Sequence, residues 1–461
     1  MALIKSISGI RGTIGGSVNG NLTPIDTVKF AAAYGMWLKN QTKKEELTVI
    51  LGRDARISGK MVSSLVANTL VGLGINVVDI GLSTTPTVEV AVTLDNADGG
   101  IIITASHNPK QWNALKLLNN KGEFLNANDG VEVLKIAEND SYIFSEVDDL
   151  GIYRKKKNYI NKHIKEVLNL ELVDVEAIKK SNFKVVVDAV NSTGGIAIPA
   201  LLEKLGVECI ELYCEPNGEF PHNPEPLKEH LTDISELVIK EKADLGIVVD
   251  PDVDRLALIS EDGSMFGEEY TLVACADYVL GKTKGNAVSN LSSSRALRDV
   301  TQKHGGKYQA SAVGEVNVVE LMKKTNAIIG GEGNGGIIYP ESHYGRDSLV
   351  GIALFLSHLA ISKMTCKELR ASYPSYYMSK NKIELTPQID VDTILKIIAT
   401  SYRNEDVITI DGVKINFETE WVHLRKSNTE PIIRIYTESN SQNGADELAQ
   451  RFITEIKNIN N

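Results

Sequence analysis

The sequence predicts an α/β protein: three α/β units in series, closed by a smaller α+β unit. Three observations carry this expectation. Strand-like apolar runs alternate with helix-period stretches as far as Leu369, a rhythm that reads as βαβ and a largely parallel sheet. The last ninety or so residues break that rhythm with a hairpin signal and an amphipathic end. A chain of 461 residues is also too long for one core, at roughly 100–200 residues per domain.

In the first unit the strands are Leu47 to Leu51, Val77 to Ile80 and Ile101 to Thr104, with a helix from Met61 to Leu73. The second repeats the pattern with a strand from Lys184 to Asp188, a helix from Ile198 to Leu205, and strands from Glu208 to Leu212 and Leu245 to Asp250. A third runs from about Leu256 to Leu369, with strands at Ala287 to Asn290 and Ala327 to Ile329. The three could be diverged copies, although no clean repeat period is visible. In the last unit a strand near Lys382 to Leu385 precedes a helix from Val391 to Tyr402 and a strand from Val407 to Ile410. Asp411-Gly412 then signals a type I′ turn into Val413 to Phe417. A strand follows from Pro431 to Thr437, and a helix from Ala445 to Ile459 ends the chain.

Composition excludes several classes. Hydrophobic content of 43% and charged content of 24% are those of a folded globular chain. The net charge of −11 argues against nucleic acid as a partner, and an anionic ligand would need a local basic pocket. No run approaches the roughly 20 apolar residues that span a bilayer, and the Met1 to Lys5 start leads into no signal-like apolar run. Cys209, Cys214, Cys275 and Cys366 form no CxxC pair and read as small buried residues of a reduced cytoplasmic protein.

Four loops carry candidate chemistry. Thr104-Ala105-Ser106-His107-Asn108-Pro109 follows an apolar strand, where parallel α/β folds place ligands. Taken alone it equally fits a strand-to-helix turn capped by Ser106 or Asn108. Asp250-Pro251-Asp252-Val253-Asp254-Arg255 sets three carboxylates at alternate positions, a pattern that can converge on one hard cation. An EF-hand loop is the rival, since Glu261 is the twelfth residue from Asp250; but Arg255 holds the position that needs glycine, and the flanks read as strands. Gly331-Glu332-Gly333-Asn334-Gly335-Gly336 has the wrong glycine spacing for a dinucleotide fingerprint, and Glu332 with Asn334 suits sugar hydroxyls. Arg425-Lys426-Ser427-Asn428-Thr429-Glu430-Pro431, with Arg434 beyond, offers the basic pocket: guanidinium forks match phosphate oxygens. A plain surface turn is the alternative for each of these last two.

Together the loops resemble the α-D-phosphohexomutase superfamily along the whole chain, with Gly9-Ile10-Arg11-Gly12, Gly52-Arg53-Asp54, and Asn113 with Lys116 adding to the match. The resemblance implies four domains around a central cleft, three of related α/β fold and a smaller α+β one, here drawn at 1–153, 154–257, 258–370 and 371–461. It implies a phosphoryl group carried on Ser106, Mg²⁺ held by Ser106, Asp250, Asp252 and Asp254, and a hexose 1,6-bisphosphate as activator and intermediate. Arg11 and Arg255 would stabilise the transferring group, and Lys116 would move protons if neighbouring cations lower its pKa, with His107 as the rival, read as orienting the loop. Glu332 and Asn334 would contact the sugar; Arg425, Ser427, Asn428, Thr429 and Arg434 would hold the remote phosphate. Substrates would be hexose or hexosamine phosphates, and the chain a monomer or homodimer.

This chain departs from the family pattern at Ile7, Ser8, Asn334 and Gly336. With Tyr344-Gly345-Arg346-Asp347 the sugar loop looks most like archaeal-type phosphoglucosamine mutases, which implies glucosamine phosphates; phosphomannomutase or phosphoglucomutase activity is the alternative. A non-catalytic sugar-phosphate binder would have no need of Ser106 with all three aspartates. A phosphatase would result if water reached the phosphoserine, which domain closure would have to prevent.

Overall fold

In the computed structural model, which describes residues 3–6, 9–384, 390–426 and 432–459, four sheets follow one another along the chain. The first orders seven strands as Ile4–Ser6, Gly9–Thr13, Trp112–Leu118, Gly99–Ile103, Leu47–Arg53, Ile75–Leu82 and Tyr153–Lys155. Leu47–Arg53 lies parallel to both neighbours, and Trp112–Leu118 runs antiparallel to Gly99–Ile103. Helix Pro24–Gln41 starts on a Thr23/Asp26 capping box, which satisfies two otherwise unpaired amides, and buries Phe30, Tyr34 and Trp37.

The second sheet orders Leu256–Ser260, Leu245–Val249, Lys184–Asp188 and Glu208–Leu212; the third orders Gly336–Ile338, Ala327–Glu332, Asn286–Asn290 and Tyr308–Ser311. All three units share one topology. In each, a central strand (Leu47–Arg53, Lys184–Asp188 or Asn286–Asn290) is flanked in parallel by the next two in the chain, the second and third, and a fourth returns antiparallel to the third. The first sheet adds Ile4–Ser6, Gly9–Thr13 and Tyr153–Lys155 outside this core. The connections from third to fourth strand are residues 104–111, 250–255 and 333–335, which are the serine, aspartate and sugar loops. The units are thus copies in architecture, and their unequal loops erase any sequence period.

Two expectations are corrected. Leu256–Ser260, expected to open the third unit, pairs with Leu245–Val249 along its whole length, so a boundary at residue 257 would cut a strand of the second sheet. The Asp411-Gly412 turn is not type I′: Gly412 has φ +70 but Asp411 is not in the left-handed region, and Ile408 pairs with Lys414 across a longer loop. A Cβ at Gly412 would lie 2.1 Å from Leu424 O, which explains the glycine.

The terminal unit is a five-stranded antiparallel sheet, Tyr377–Glu384, Ile432–Ser439, Trp421–Lys426, Val413–Asn416 and Asp406–Ile408 in order. Helices Val391–Ser401 and Gln442–Ile459 bury Ile394, Ile398 and Phe452 against Ile415, Leu424 and Ile433. Among the described residues no helix is long and apolar enough to cross a membrane.

Candidate active site

Ser106 sits just past the buried strand Gly99–Ile103, with φ +47, a left-handed backbone that a non-glycine residue adopts only when its surroundings impose it. The restraint is visible. Ser106 N donates to Thr104 Oγ1 (3.0 Å), and the Thr104 hydroxyl donates to Asp54 Oδ2 (2.7 Å). The fully buried Arg56 guanidinium, paired with Asp54 at 3.0 Å, donates to the carbonyls of Asn108, Pro109 and Trp112 at 2.6, 2.8 and 3.0 Å, and also to that of Ser106. Phe220 lies 5.1 Å beneath that guanidinium. The loop leads into a strand, not a helix, which removes the capping alternative. Nothing in the local sequence marks Arg56 as the fork of this loop; the only cue is its place two residues beyond Gly52-Arg53-Asp54.

The aspartate loop meets it. Asp250 Oδ2 accepts the Ser106 hydroxyl at 2.6 Å, while Asp250 Oδ1 accepts the amides of Asp254 and Arg255. Val253, at φ +65, gives the sharp turn that points the carboxylates inward. Oxygens of Asp250, Asp252 and Asp254 lie within 4.8 Å of one another, and all three residues are fully buried. Burial and the two neighbouring carboxylates push Asp250 well above the usual carboxylate range. Asp252 Oδ1 and Asp254 Oδ1 are buried without a donor among the described residues. Hard, oxygen-only, over-charged and part-unsatisfied, this set fits a divalent cation such as Mg²⁺. Strands on both sides exclude the EF-hand alternative.

Lys116 Nζ lies 2.7 Å from Asp252 Oδ2 and 3.2 Å from Asp254 Oδ2. Burial pulls its ammonium down, but the two aspartates outweigh that and hold it above its ordinary range; the expected lowering by neighbouring cations does not occur in this structure. Thr85 donates to Asp252 Oδ2 at 2.6 Å, anchoring the loop to the first unit. Arg346 anchors it to the third: its guanidinium reaches Asp254 (2.7 Å), Glu315 (3.0 Å) and Glu332 (3.1 Å). Neither Thr85 nor Arg346 carries a local signature of this role.

His107 Nδ1 is 3.4 Å from Ser106 Oγ, and burial, then Arg255, press it well below its ordinary pKa. Arg11 belongs to the same cationic group: burial, Arg255 and Arg434 lower its pKa. Among the described residues the Nε atoms of Arg11, Arg255 and Arg425 are buried without a hydrogen-bond partner. Orphaned guanidinium donors from three units are what an anion would satisfy. Arg425 and Arg434 stand opposite each other on paired strands. Ser427, Asn428 and Thr429 lie outside the described residues.

In the sugar loop, Glu332 Oε1 accepts Asn290 Nδ2 (2.9 Å) and Gly314 N (3.1 Å), so its carboxylate is already anchored. Asn334 Oδ1 accepts Gly336 N, which leaves the amide nitrogen of this half-buried side chain without a partner among the described residues. Gly333 is required by close approach, since a Cβ there would lie 2.1 Å from the Glu269 carboxylate.

Residues 4–143, 158–263 and 267–377 match the α/β/α domains I, II and III of the phosphoglucomutase/phosphomannomutase family, and residues 382–455 match its C-terminal domain. A phosphoglucomutase/phosphomannomutase of Thermococcus kodakarensis is 36% identical over 445 residues, 95% of this chain and 96% of that protein. A phosphoglucosamine/phosphogalactosamine mutase of Sulfurisphaera tokodaii is 32% identical over 480 residues, 100% and 99% of the two chains. The crystal structure of a phosphoglucomutase/phosphomannomutase family protein from Burkholderia thailandensis shares the fold, with TM-score 0.85 at 24% identity over 99% of this chain and 98% of that one.

Proposed function

We infer that this chain, which belongs to the phosphoglucomutase/phosphomannomutase family, interconverts glucosamine 6-phosphate and glucosamine 1-phosphate through a phosphoserine at Ser106 and a bisphosphorylated sugar. The observation that carries the mechanism is the 2.6 Å contact between Ser106 Oγ and Asp250 inside the triad of aspartates. In the forward half-reaction the bond from phosphorus to Ser106 Oγ breaks as one to the free sugar hydroxyl forms, and that hydroxyl loses its proton to a neighbouring group. The bisphosphate turns over, and Ser106 takes the other phosphoryl group back.

Asp250, Asp252 and Asp254, with an oxygen on Ser106, would hold Mg²⁺, which when bound supplies positive charge to the transferring phosphoryl group. Arg11 and Arg255 add fixed cationic charge from two further elements. Lys116, held charged by two of the aspartates, would give a proton to the sugar oxygen released when Ser106 takes a phosphoryl group back, and His107 would orient Ser106 Oγ. Arg425 and Arg434, with Ser427, Asn428 and Thr429, serve the remote phosphate, and Asn334 a sugar hydroxyl. Whichever phosphate is not reacting occupies the same cradle.

Support for glucosamine comes from the Sulfurisphaera tokodaii relative and from the sugar-loop variant that ends in Gly336. A second reading, glucose or mannose phosphates, is favoured by the name of the Thermococcus kodakarensis relative. A coupled assay of the purified protein against glucosamine, glucose and mannose phosphates, each with its 1,6-bisphosphate, decides between them. Preference for glucosamine is expected. Preference for another sugar selects the second reading, and no turnover on any overturns both.

A further inference from the structure

We propose that His163, His343 and Asp347 form a second cation site, separate from the three aspartates, that takes one divalent transition-metal ion of the Zn²⁺ class. One atom of each converges. His163 Nε2 lies 2.9 Å and His343 Nε2 3.1 Å from the same Asp347 Oδ2, and the three ligand atoms lie within 4.8 Å of one another. Neighbouring ligands of a tetrahedral ion with bonds of about 2.0–2.1 Å stand roughly 3.3 Å apart, so little movement is needed to admit one. Two imidazole nitrogens with one carboxylate are a donor set for Zn²⁺, whereas the all-oxygen set beside Ser106 suits Mg²⁺.

The bonds around the cluster call for a cation. Asp347 caps helix Ser348–Ser362 through Oδ1, which accepts the amides of Leu349 and Val350, so Oδ2 is left to the two rings. Each ring is also met at its other nitrogen: His163 Nδ1 is 3.0 Å from Thr87 Oγ1, and His343 Nδ1 is 3.2 Å from Glu89 Oε2, close but not aligned as a hydrogen bond. A neutral imidazole has one N–H, so a neutral His343 between two buried carboxylates must turn a lone pair on one of them. A cation at Nε2 removes the conflict, because the ring proton then sits on Nδ1 and faces Glu89, the arrangement in which a carboxylate orients a metal-bound histidine. Glu89 is 1% exposed, and both its oxygens lack a hydrogen bond among the described residues. It is packed so closely that a Cβ at Gly345 would lie 2.0 Å from its Oε2. Within the cluster Glu89 and Asp347 bring two negative charges into a buried place, which one divalent ion and two neutral imidazoles balance. A proton on His343 balances only one.

The ligands and their supports come from three units. Thr87 and Glu89 stand on helix Thr85–Leu94 of the first, His163 on helix Tyr159–Leu168 of the second, and His343 and Asp347 in the third. Asp347 follows Arg346, which grips Asp254, and Thr85, on the helix that carries Glu89, grips Asp252. The ion is thus a structural rivet: it ties the three units together beside the segments that anchor the aspartate loop, and takes no part in phosphoryl transfer.

The test uses the full chain, stripped with a chelator and dialysed into excess Mg²⁺ to fill the three aspartates. Zn²⁺ titrated in should bind at one equivalent per chain, with a dissociation constant below about 1 µM, and raise the melting temperature. Co²⁺ in its place should give the intense visible bands of tetrahedral coordination, which an octahedral all-oxygen site does not. His163→Gln and His343→Gln should each abolish those bands, and Glu89→Gln should weaken Zn²⁺ by about 10–100-fold through the ring it orients. Asp252→Asn, in the other cluster, should leave the bands and the Zn²⁺ affinity unchanged. Circular dichroism of the zinc-free variants checks that they fold; if a histidine variant does not, the wild-type titration and Asp252→Asn still decide. Zn²⁺ that binds wild type no more tightly than about 1 µM, or no more tightly than it binds His163→Gln, overturns the proposal and leaves His343 as an imidazolium between Glu89 and Asp347. Bands lost in Asp252→Asn and kept in His343→Gln overturn it by giving the ion to the aspartates.

Discussion

The catalytic loops and the terminal domain hold their charges in opposite ways. Around Ser106 and the aspartates, buried ionic groups are locked by multiple short bonds: Arg56 to four carbonyls, Arg346 to three carboxylates, Thr85 and Lys116 to Asp252. The terminal domain meets the third through polar contacts that include Ser292 with His423, Val313 N to Asp411, Lys414 Nζ to Leu291 O, Arg295 with Glu438 and Glu418 O, and Lys380 with Glu268. Phosphoryl transfer needs atoms fixed to a fraction of an ångström, whereas a cradle that must admit and release a sugar bisphosphate needs a contact that can open.

The largest effect should come from removing the reacting atom. Ser106→Ala is expected to lower turnover by at least about 1,000-fold, since the covalent route is lost. Intact-protein mass spectrometry should show one phosphoryl group on the wild type and none on the variant. Turnover surviving in Ser106→Ala would end the assignment and, with it, the contrast between a reacting centre and a remote cradle.

Next comes the locking itself. Arg56→Met removes five donated bonds, four to carbonyls and one to Asp54, and strands the Asp54 charge in a fully buried site, and should cost about 3–5 kcal/mol of stability. Burial already raises Asp54 against the pull of Arg56 and Thr104. Adding Asp54→Asn should therefore recover part of the loss in a denaturant titration. Additive losses would mean the pair is not the lock.

How much of this was legible follows from where the partners lie in the chain. The serine and aspartate loops could be read because their chemistry is local: a hydroxyl or alternating carboxylates within six residues of a strand end. The contacts of Arg56, Arg346 and Thr85 could not, because each acts on a loop 50 to 167 residues away; Arg346 stands out only as part of Tyr344-Gly345-Arg346-Asp347, which does not say what it holds. Lys116 is legible through the family resemblance, but whether cations lower its pKa is not, since spacing along the chain does not say which of Arg346 or the aspartates lies nearer. Strand placement failed in the same way. Leu256–Ser260 looks like the start of a new unit, and only its pairing shows that it closes the old one. The short edge strands Ile4–Ser6 and Tyr153–Lys155 have no period to detect over three residues.

The cradle is the third test. Arg425, whose Nε is buried without a hydrogen-bond partner among the described residues and lies 3.7 Å from Asp411 Oδ2, should on truncation to Ala cost roughly 2–4 kcal/mol in kcat/KM. Because either sugar phosphate places its idle end there, the loss should be similar in the forward and reverse directions. A loss in one direction only, or one within about twofold of wild type, would move the cradle elsewhere.

The smallest expected effect concerns how the terminal domain lets go. Lys414 is buried where it docks, its Nζ 2.7 Å from Leu291 O and 3.9 Å from the centre of the Trp421 ring. Burial drives its pKa down to about 7, opposed by Glu438 and reinforced by Arg295, while His423 beside it is pressed to about 4 and stays neutral. Released into water, Lys414 would keep its proton to about pH 10.4. Between about pH 7 and 10 the released state therefore binds more protons than the docked one, so docking strengthens as pH rises through that window and is weakest below it. The slope can reach no more than about 1.4 kcal/mol per pH unit. Glu438, raised chiefly by burial, acts in the opposite sense, over a window that opens lower, near the ordinary carboxylate pKa. Hydrogen exchange of strand Trp421–Lys426, corrected for the intrinsic rate at each pH, should show more protection at pH 9 than at pH 7 in the wild type. Lys414→Met keeps the apolar stem against Trp421 and has no proton to lose, so its corrected protection should be flat across the same range. If the variant keeps the wild-type slope, another group sets the latch, and the contrast between a locked catalytic centre and a titratable docking contact fails at this point.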